Sequence, residues 1–214
     1  MKISSSGTSI IESMIVLLIV VTGITGVYGL MNASQKLANS TESRIEAIQI
    51  ARDGLEAFTN IRDTNWLRFA ADRANCWNVL NYNASCIGSA TTTYDIRLSA
   101  TQWIRLSRNW NNQFFIGIQN HWGTNTFDNT TYRNRFRVQK DTRWFYTQAW
   151  GTNFTPIFTR EIQIDYLNAA WVSQWSTASN NPKMKVTAIV QWNDPASSTP
   201  QRLEMSTILT NWKN

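Results

Sequence analysis

Cysteine and histidine are scarce: the chain carries two cysteines and one histidine among 214 residues. Its own side chains therefore cannot assemble a Cys/His zinc site. A nucleophile scheme that runs through an imidazole has only His121 to work with. The sequence also holds no Walker loop, no Gly-x-Ser-x-Gly elbow and no internal repeat. Carboxylate pairs do occur, Glu161 with Asp165 for example. Strand spacing puts those two on one face, where ordinary surface charge accounts for them. The main players of most hydrolase chemistry are thus missing. The expectation is a protein that is no enzyme, needs no cofactor or metal, and is acted upon rather than acting.

Charge is also sparse at 16% of residues, against 43% hydrophobic, which allows a sizeable core. Twenty Lys and Arg against 14 Asp and Glu leave +6. Such a balance attracts nucleic acid, anionic lipid or acidic polymers without choosing among them. What the chain has in abundance is one long apolar run. From Ile10 to Met31 it is almost continuously hydrophobic, and a helix of that length spans roughly 33 Å at about 1.5 Å per residue, enough for a hydrocarbon core of about 30 Å. Only a short polar leader with Lys2 precedes it, whereas a secretory signal carries its cleavage site after the apolar stretch. The expected orientation puts Lys2 on the cytoplasmic side and the β-rich domain outside.

Glu12 sits inside this run, where a carboxylate costs about 2.5–3.5 kcal/mol at the bilayer centre and less near an interface. Cleavage after Gly7 would create a new ammonium on Thr8, one helical turn from Glu12. The same carboxylate can take the amino group of a neighbouring subunit in a stack of identical helices. Desolvation cancels much of the Coulomb gain, so such a pair sets register rather than bulk stability.

A short leader ending in Gly7, then Thr8-Ser-Ile-Ile-Glu12 and an uninterrupted hydrophobic helix, resembles the type IV pilins, minor pilins and pseudopilins with a class III leader. The resemblance implies removal of residues 1–7 by a membrane prepilin peptidase, methylation of the new terminus, and extraction from the membrane by the pilus assembly machinery into a helical, homo-oligomeric fibre or one shared with related pilins. Gly7 and Thr8 are then the processing positions and Glu12 the assembly position. The chain departs from the common pattern in three ways: Thr8 stands where Phe or Met is usual, the leader has one basic residue, and Gly23, Gly26 and Gly29 stand where many pilins have a proline. The segments Ile50–Trp66, ending in Ile61-Arg-Asp-Thr-Asn-Trp66, and Leu203–Trp212, ending in Leu209-Thr-Asn-Trp212, are similar to sequences that close the helix and the last strand in some bacterial prepilins.

The helix is expected to continue beyond the membrane. On a 100° wheel Leu37, Thr41, Ile45, Ile48, Ala51, Leu55 and Phe58 share one side, with Arg44 the exception, and Glu42, Glu46, Gln49, Asp53 and Glu56 lie opposite. Gly54 with Asp53 and Glu56 reads equally as an exposed face with one poor helix former. Past Trp66 the texture changes to Asn/Ser/Thr-rich loops between candidate strands at 94–98, 114–118, 136–139, 143–147, 159–166, 185–192 and 202–209. The expected fold class is α+β: a long N-terminal helix packed on a mainly antiparallel sheet of at least three strands. The expected divisions are a leader (1–7), a hydrophobic transmembrane or filament-core helix (8–33), its amphipathic continuation (34–65) and a β-rich globular domain (66–214).

Cys76 and Cys86 enclose nine residues in this exported part. A disulfide there would contribute roughly 2–3 kcal/mol in an oxidising space; two buried thiols are the alternative. Eleven tryptophans, and the cations and rings of Tyr132–Arg137, fit stacking on a surface glycan or DNA. The plainer reading, which we prefer, is that Trp fills cores and subunit contacts and that alternating Arg marks the solvated face of a sheet. The functional expectation is a structural subunit of a type IV pilus or pilus-like filament, held first as a single-span precursor in the inner membrane and then exported as an extracellular, adhesive fimbrium. The alternatives are a pseudopilin of a type II secretion or competence system, and an uncut single-span anchor bearing a Trp-rich binding domain.

Overall fold

A computed structural model of the chain describes residues 10–70, 73–77, 102–108, 114–120, 127–140, 146–148, 158–167, 183–194, 197 and 199–211. Its first element is α1, Ile10–Arg68, a single helix of 59 residues and so about 88 Å long. It has no proline, and nothing else in it forces a break. It runs past the boundary at residue 65 expected from sequence. A short helix, α2 (Arg73–Cys76), follows.

Seven strands make up the sheet among the described residues: β1 (Gln102–Arg108), β2 (Phe114–Asn120), β3 (Arg137–Lys140), β4 (Tyr146–Thr147), β5 (Phe158–Leu167), β6 (Lys183–Trp192) and β7 (Gln201–Thr210), with helix α3 (Thr130–Phe136) leading into β3. Every pairing is antiparallel. The class is therefore α+β, a long N-terminal helix on an antiparallel sheet. β6 pairs along the whole length of β5, so β3, which meets Phe158 and Thr159, and β1, which meets Ile162, share the other edge of β5. Between those two contacts the carbonyl of Arg160 accepts a hydrogen bond from buried Gln148, which also donates to Phe136 O at 2.9 Å. A side-chain amide thus serves the backbone group that the ladder leaves open.

Strand alternation divides the sheet into two faces. The inner face presents Arg160, Ile162, Ile164 and Tyr166 from β5, Met184, Val186, Ala188 and Val190 from β6, and Leu203, Met205 and Leu209 from β7. Against it lie Ala47, Ile50, Ala51, Gly54, Ala57, Phe58 and Ile61 of α1. Small residues on the helix let its backbone come close: a Cβ added to Gly54 would lie 3.0 Å from Ile162 Cδ1 and 3.2 Å from Arg160 Cδ. Gly54 and Asp53 are therefore not an exposed face. Gly54 is buried under β5, and Asp53 forms an ion pair at 2.8 Å with the fully buried Arg160, whose Nη1 also donates to Ile50 O at 3.0 Å.

Other expectations need correction. The strand expected at 136–139 begins only at Arg137, because the preceding residues form α3, capped by Asn129, whose side chain accepts from the amides of Thr131 and Tyr132. Its i, i+4 pair, Tyr132 and Phe136, is buried with ring centroids 5.1 Å apart, so these arginines do not alternate along a strand. Glu161 is not surface charge either: it is 1% exposed on the outer face, beneath α3. The sequence pattern missed β1, and the strand expected at 94–98 lies outside the described residues.

Candidate functional site

Among the described residues nothing covers the apolar first half of α1. Ile10 is 79% and Leu30 71% exposed, and the large side chains between them are all exposed by 49% or more. The helix is long and apolar enough to cross a membrane. Its polar groups are largely satisfied from within: Thr22 donates to Leu18 O and Thr25 to Val21 O, at 2.9 and 3.0 Å, so neither hydroxyl needs water. Glu12 lies in the first turn, where a carboxylate also meets the positive end of the helix dipole. Among the described residues no ion pair or hydrogen bond reaches it. Gly7 and Thr8 lie outside the described residues.

The second half of α1 is amphipathic, and its buried stripe shares Ala51 and Phe58 with the one read from the sequence but is rotated from it. The face packed on the sheet centres on Ala47, Ile50, Gly54, Phe58, Ile61 and Asn65. The expected stripe centres one residue later, a rotation of about 100°. Leu37 stays 69% and Ile45 53% exposed, while Ile48 and Leu55 are half-buried at the margin. The helix therefore has two apolar faces, of which the head covers one.

Two shallow apolar grooves run along the uncovered side. One is lined by Val20, Gly23, Ile24, Val27, Tyr28 and Met31, the other by Ser34, Leu37, Ala38, Thr41, Glu42 and Ile45. Each position in the second is displaced by fourteen residues from its counterpart in the first. That spacing is two heptads, so on a helix of about 3.6 residues per turn the two grooves lie within about 40° of each other around the axis and form one seam. The seam extends from within the apolar span into the stalk below the head. The stalk is braced by a hydrogen bond from Ser40 Oγ to Asp194 in the β6–β7 turn. Tyr146 adds a longer contact to Glu46, at 3.4 Å.

Comparison with family models, curated proteins and solved structures returns no match to this chain. The two motifs that close the helix and the last strand nonetheless meet in space. The indole N–H of Trp66 donates to Asn211 Oδ1 at 3.2 Å, Asn65 Nδ2 donates to Trp77 O at 3.3 Å, and Arg73 stacks over Trp66 at 4.2 Å while donating to its carbonyl. These residues fasten the end of α1 to α2 and to the end of β7. Cys76, at the end of α2, is buried and disulfide-bonded; Cys86 lies outside the described residues.

Of the tryptophan side chains described, Trp77 and Trp192 are buried and Trp66 packs half-buried against the core. Most of the others fall outside the described residues. Among the described residues no group of three His, Cys, Asp or Glu could hold a metal ion. Two sites went unseen in the sequence. The Asp53–Arg160 pair was hidden because nothing marks an arginine at an inward strand position until the partner helix is placed. The Tyr132–Glu161 contact depended on recognising α3, for which the Asn129 cap and the spacing of Tyr132 and Phe136 were the available signals.

Proposed function

We propose that the chain is a structural subunit of a type IV pilus or pilus-like filament, inserted as a single-span precursor, cut after Gly7 and assembled through α1. The observation that carries this is the pair of apolar faces on α1, one held by the head and one left open along a heptad seam from Val20 to Ile45. A membrane anchor needs apolar surface only over the span; it has no use for an exposed Leu37 and Ile45 on the stalk outside. A neighbouring helix that leaves the membrane alongside it does. Glu12, unpartnered among the described residues within apolar surroundings, then takes the amino group of a neighbour's Thr8 and fixes the axial register.

Processing is tested by intact mass and N-terminal sequencing of the protein from cells with and without a prepilin peptidase. The expected result is a Thr8 terminus only where the peptidase is present. A Met1 terminus in both assigns the chain to an uncut single-span anchor instead. The open face is tested separately by Leu37→Ser with Ile45→Ser. Neither side chain contributes to the head's core, so thermal unfolding of the head should shift by less than about 0.5 kcal/mol, whereas filament yield should fall several-fold. Unchanged yield would remove the stalk from the interface.

A further inference from the structure

The outer face of the sheet carries a buried polar network that the assembly reading does not use. The chain of contacts starts where Phe127 N donates to Gln191 Oε1 at 3.1 Å. Gln191 Nε2 in turn donates to the Tyr132 hydroxyl at 2.9 Å, and Tyr132 lies against the Glu161 carboxyl. Gln163 Nε2 donates to Glu161 Oε1 at 3.3 Å, while Oε2 is buried without a hydrogen-bond partner. Ile189, directly across the ladder from Glu161 and 1% exposed, makes the floor apolar. The lid is the segment 127–136: Phe127, Tyr132 and Phe136 are all buried against the sheet. Seven residues of helix are too few to persist alone, so α3 stays folded only while docked.

We propose that the segment 127–136 is a proton-controlled strap, docked over the outer sheet face while Glu161 is neutral and released when Glu161 ionises. A neutral carboxyl tolerates one unpartnered oxygen. An ionised one in the same place needs donors on both oxygens, and water reaches Oε2 most easily when the element with the least independent stability lifts away. Burial, the largest cause, pushes the Glu161 carboxyl up to about 7. Hydrogen bonds from Tyr132 and Gln163 and the charge of Arg202 pull it down, and Glu204 pushes it up. Burial and the neighbouring carboxylate likewise push the Tyr132 hydroxyl upward, so the tyrosine stays protonated throughout.

The charged groups around this site are few and placed by element. On β7, Arg202 and Glu204 pair with each other at the exposed margin. Along β5 and β6, Asp165 stands opposite Lys185, the next outward position beyond Gln163 and Thr187 in the ladder. From β3, Arg137 is buried across from Thr159. On α3, Arg133 turns toward the Phe127 ring at 5.6 Å, and Arg135 lies on the same helix. The side chains of β1 are outside the described residues. None of these carboxylates shares the buried position of Glu161.

The sign follows from linkage. The docked carboxyl binds its proton more tightly than the released one, so docking is strongest below the ordinary carboxylate range, weakens as pH rises toward about 7, and levels off above it. Release would expose the Phe127, Tyr132 and Phe136 rings together with the apolar floor at Ile189, whatever the assembly state of the chain.

Hydrogen exchange of the full-length chain in detergent, corrected for intrinsic chemical rates, tests this. Amides of 127–136 should lose at least about tenfold protection between pH 5 and 7.5, while β6 amides hold theirs. In Glu161→Gln the strap should be equally protected at both pH values. A carbon-13 titration of the Glu161 carboxyl in the unmutated chain should have its midpoint between about 6 and 8, a readout that stands even if the variant fails to fold. Constant protection of 127–136, parallel loss in β6, pH dependence surviving in Glu161→Gln, or a Glu161 midpoint in the ordinary carboxylate range would each overturn the proposal.

Discussion

Asp53→Ala should destabilise the head by about 3–5 kcal/mol, because it strands a fully buried guanidinium without its carboxylate. In a chain of this size that amounts to a fall of roughly 10 °C in the thermal midpoint, read by circular dichroism in detergent. Arg160 lies where α1, β5 and the gap between β3 and β1 meet. Its side chain holds the helix through Asp53 and Ile50 O, and its own carbonyl is held by Gln148. The pair thus fixes both the rotation and the axial position of α1 on the sheet, and with them which apolar face remains outside. A double replacement, Asp53→Leu with Arg160→Met, should recover most of the lost stability, since apolar groups of similar volume replace a buried pair at little net cost. It should also blunt the preference for one helix rotation. Loss below about 0.5 kcal/mol in Asp53→Ala would mean that the pair does not lock the helix.

Glu12→Ala should leave membrane insertion and leader removal intact while cutting incorporation into filaments by an order of magnitude or more. The substitution removes a charge that costs a few kcal/mol in hydrocarbon, so the precursor is if anything more comfortable in the bilayer. On the proposed assembly, what disappears is the demand for a neighbour's ammonium. Filament yield, counted against processed membrane-held subunit by immunoblot, separates the two effects. Wild-type yield would mean that hydrophobic packing of α1 alone sets the register.

The sequence announced the long helix and the last three strands because their signals are strong and independent of context. A 22-residue apolar run from Ile10 to Met31 leaves little choice of structure, and Val186, Ala188, Val190 and Trp192 alternate with Lys185, Thr187, Ile189 and Gln191 through a ladder that the structure pairs along its full length. The rotation of α1 was not legible for a definite reason. Wheel reading gives weight to large side chains, and Leu37 and Ile45 are large; close approach to a sheet instead selects Ala47, Gly54 and Ala57, which allow backbone contact. The large residues stay outside, available to a helix that approaches from another direction. The burial of Glu161 is hidden for a similar reason: strand period places it on one face with Asp165, but only the docking of α3 over that face buries Glu161, while Asp165 stays half-buried.

On the proposed assembly, helices from different subunits pair along the uncovered side of α1, with Glu12 meeting a neighbour's terminus. A three-dimensional reconstruction of isolated filaments at side-chain detail tests it most directly. It should place the Glu12 carboxylate within ion-pair distance of the adjoining Thr8 nitrogen, with Val27, Leu37 and Ile45 buried between helices. Filaments with Glu12 facing solvent and those three side chains uncovered would contradict it.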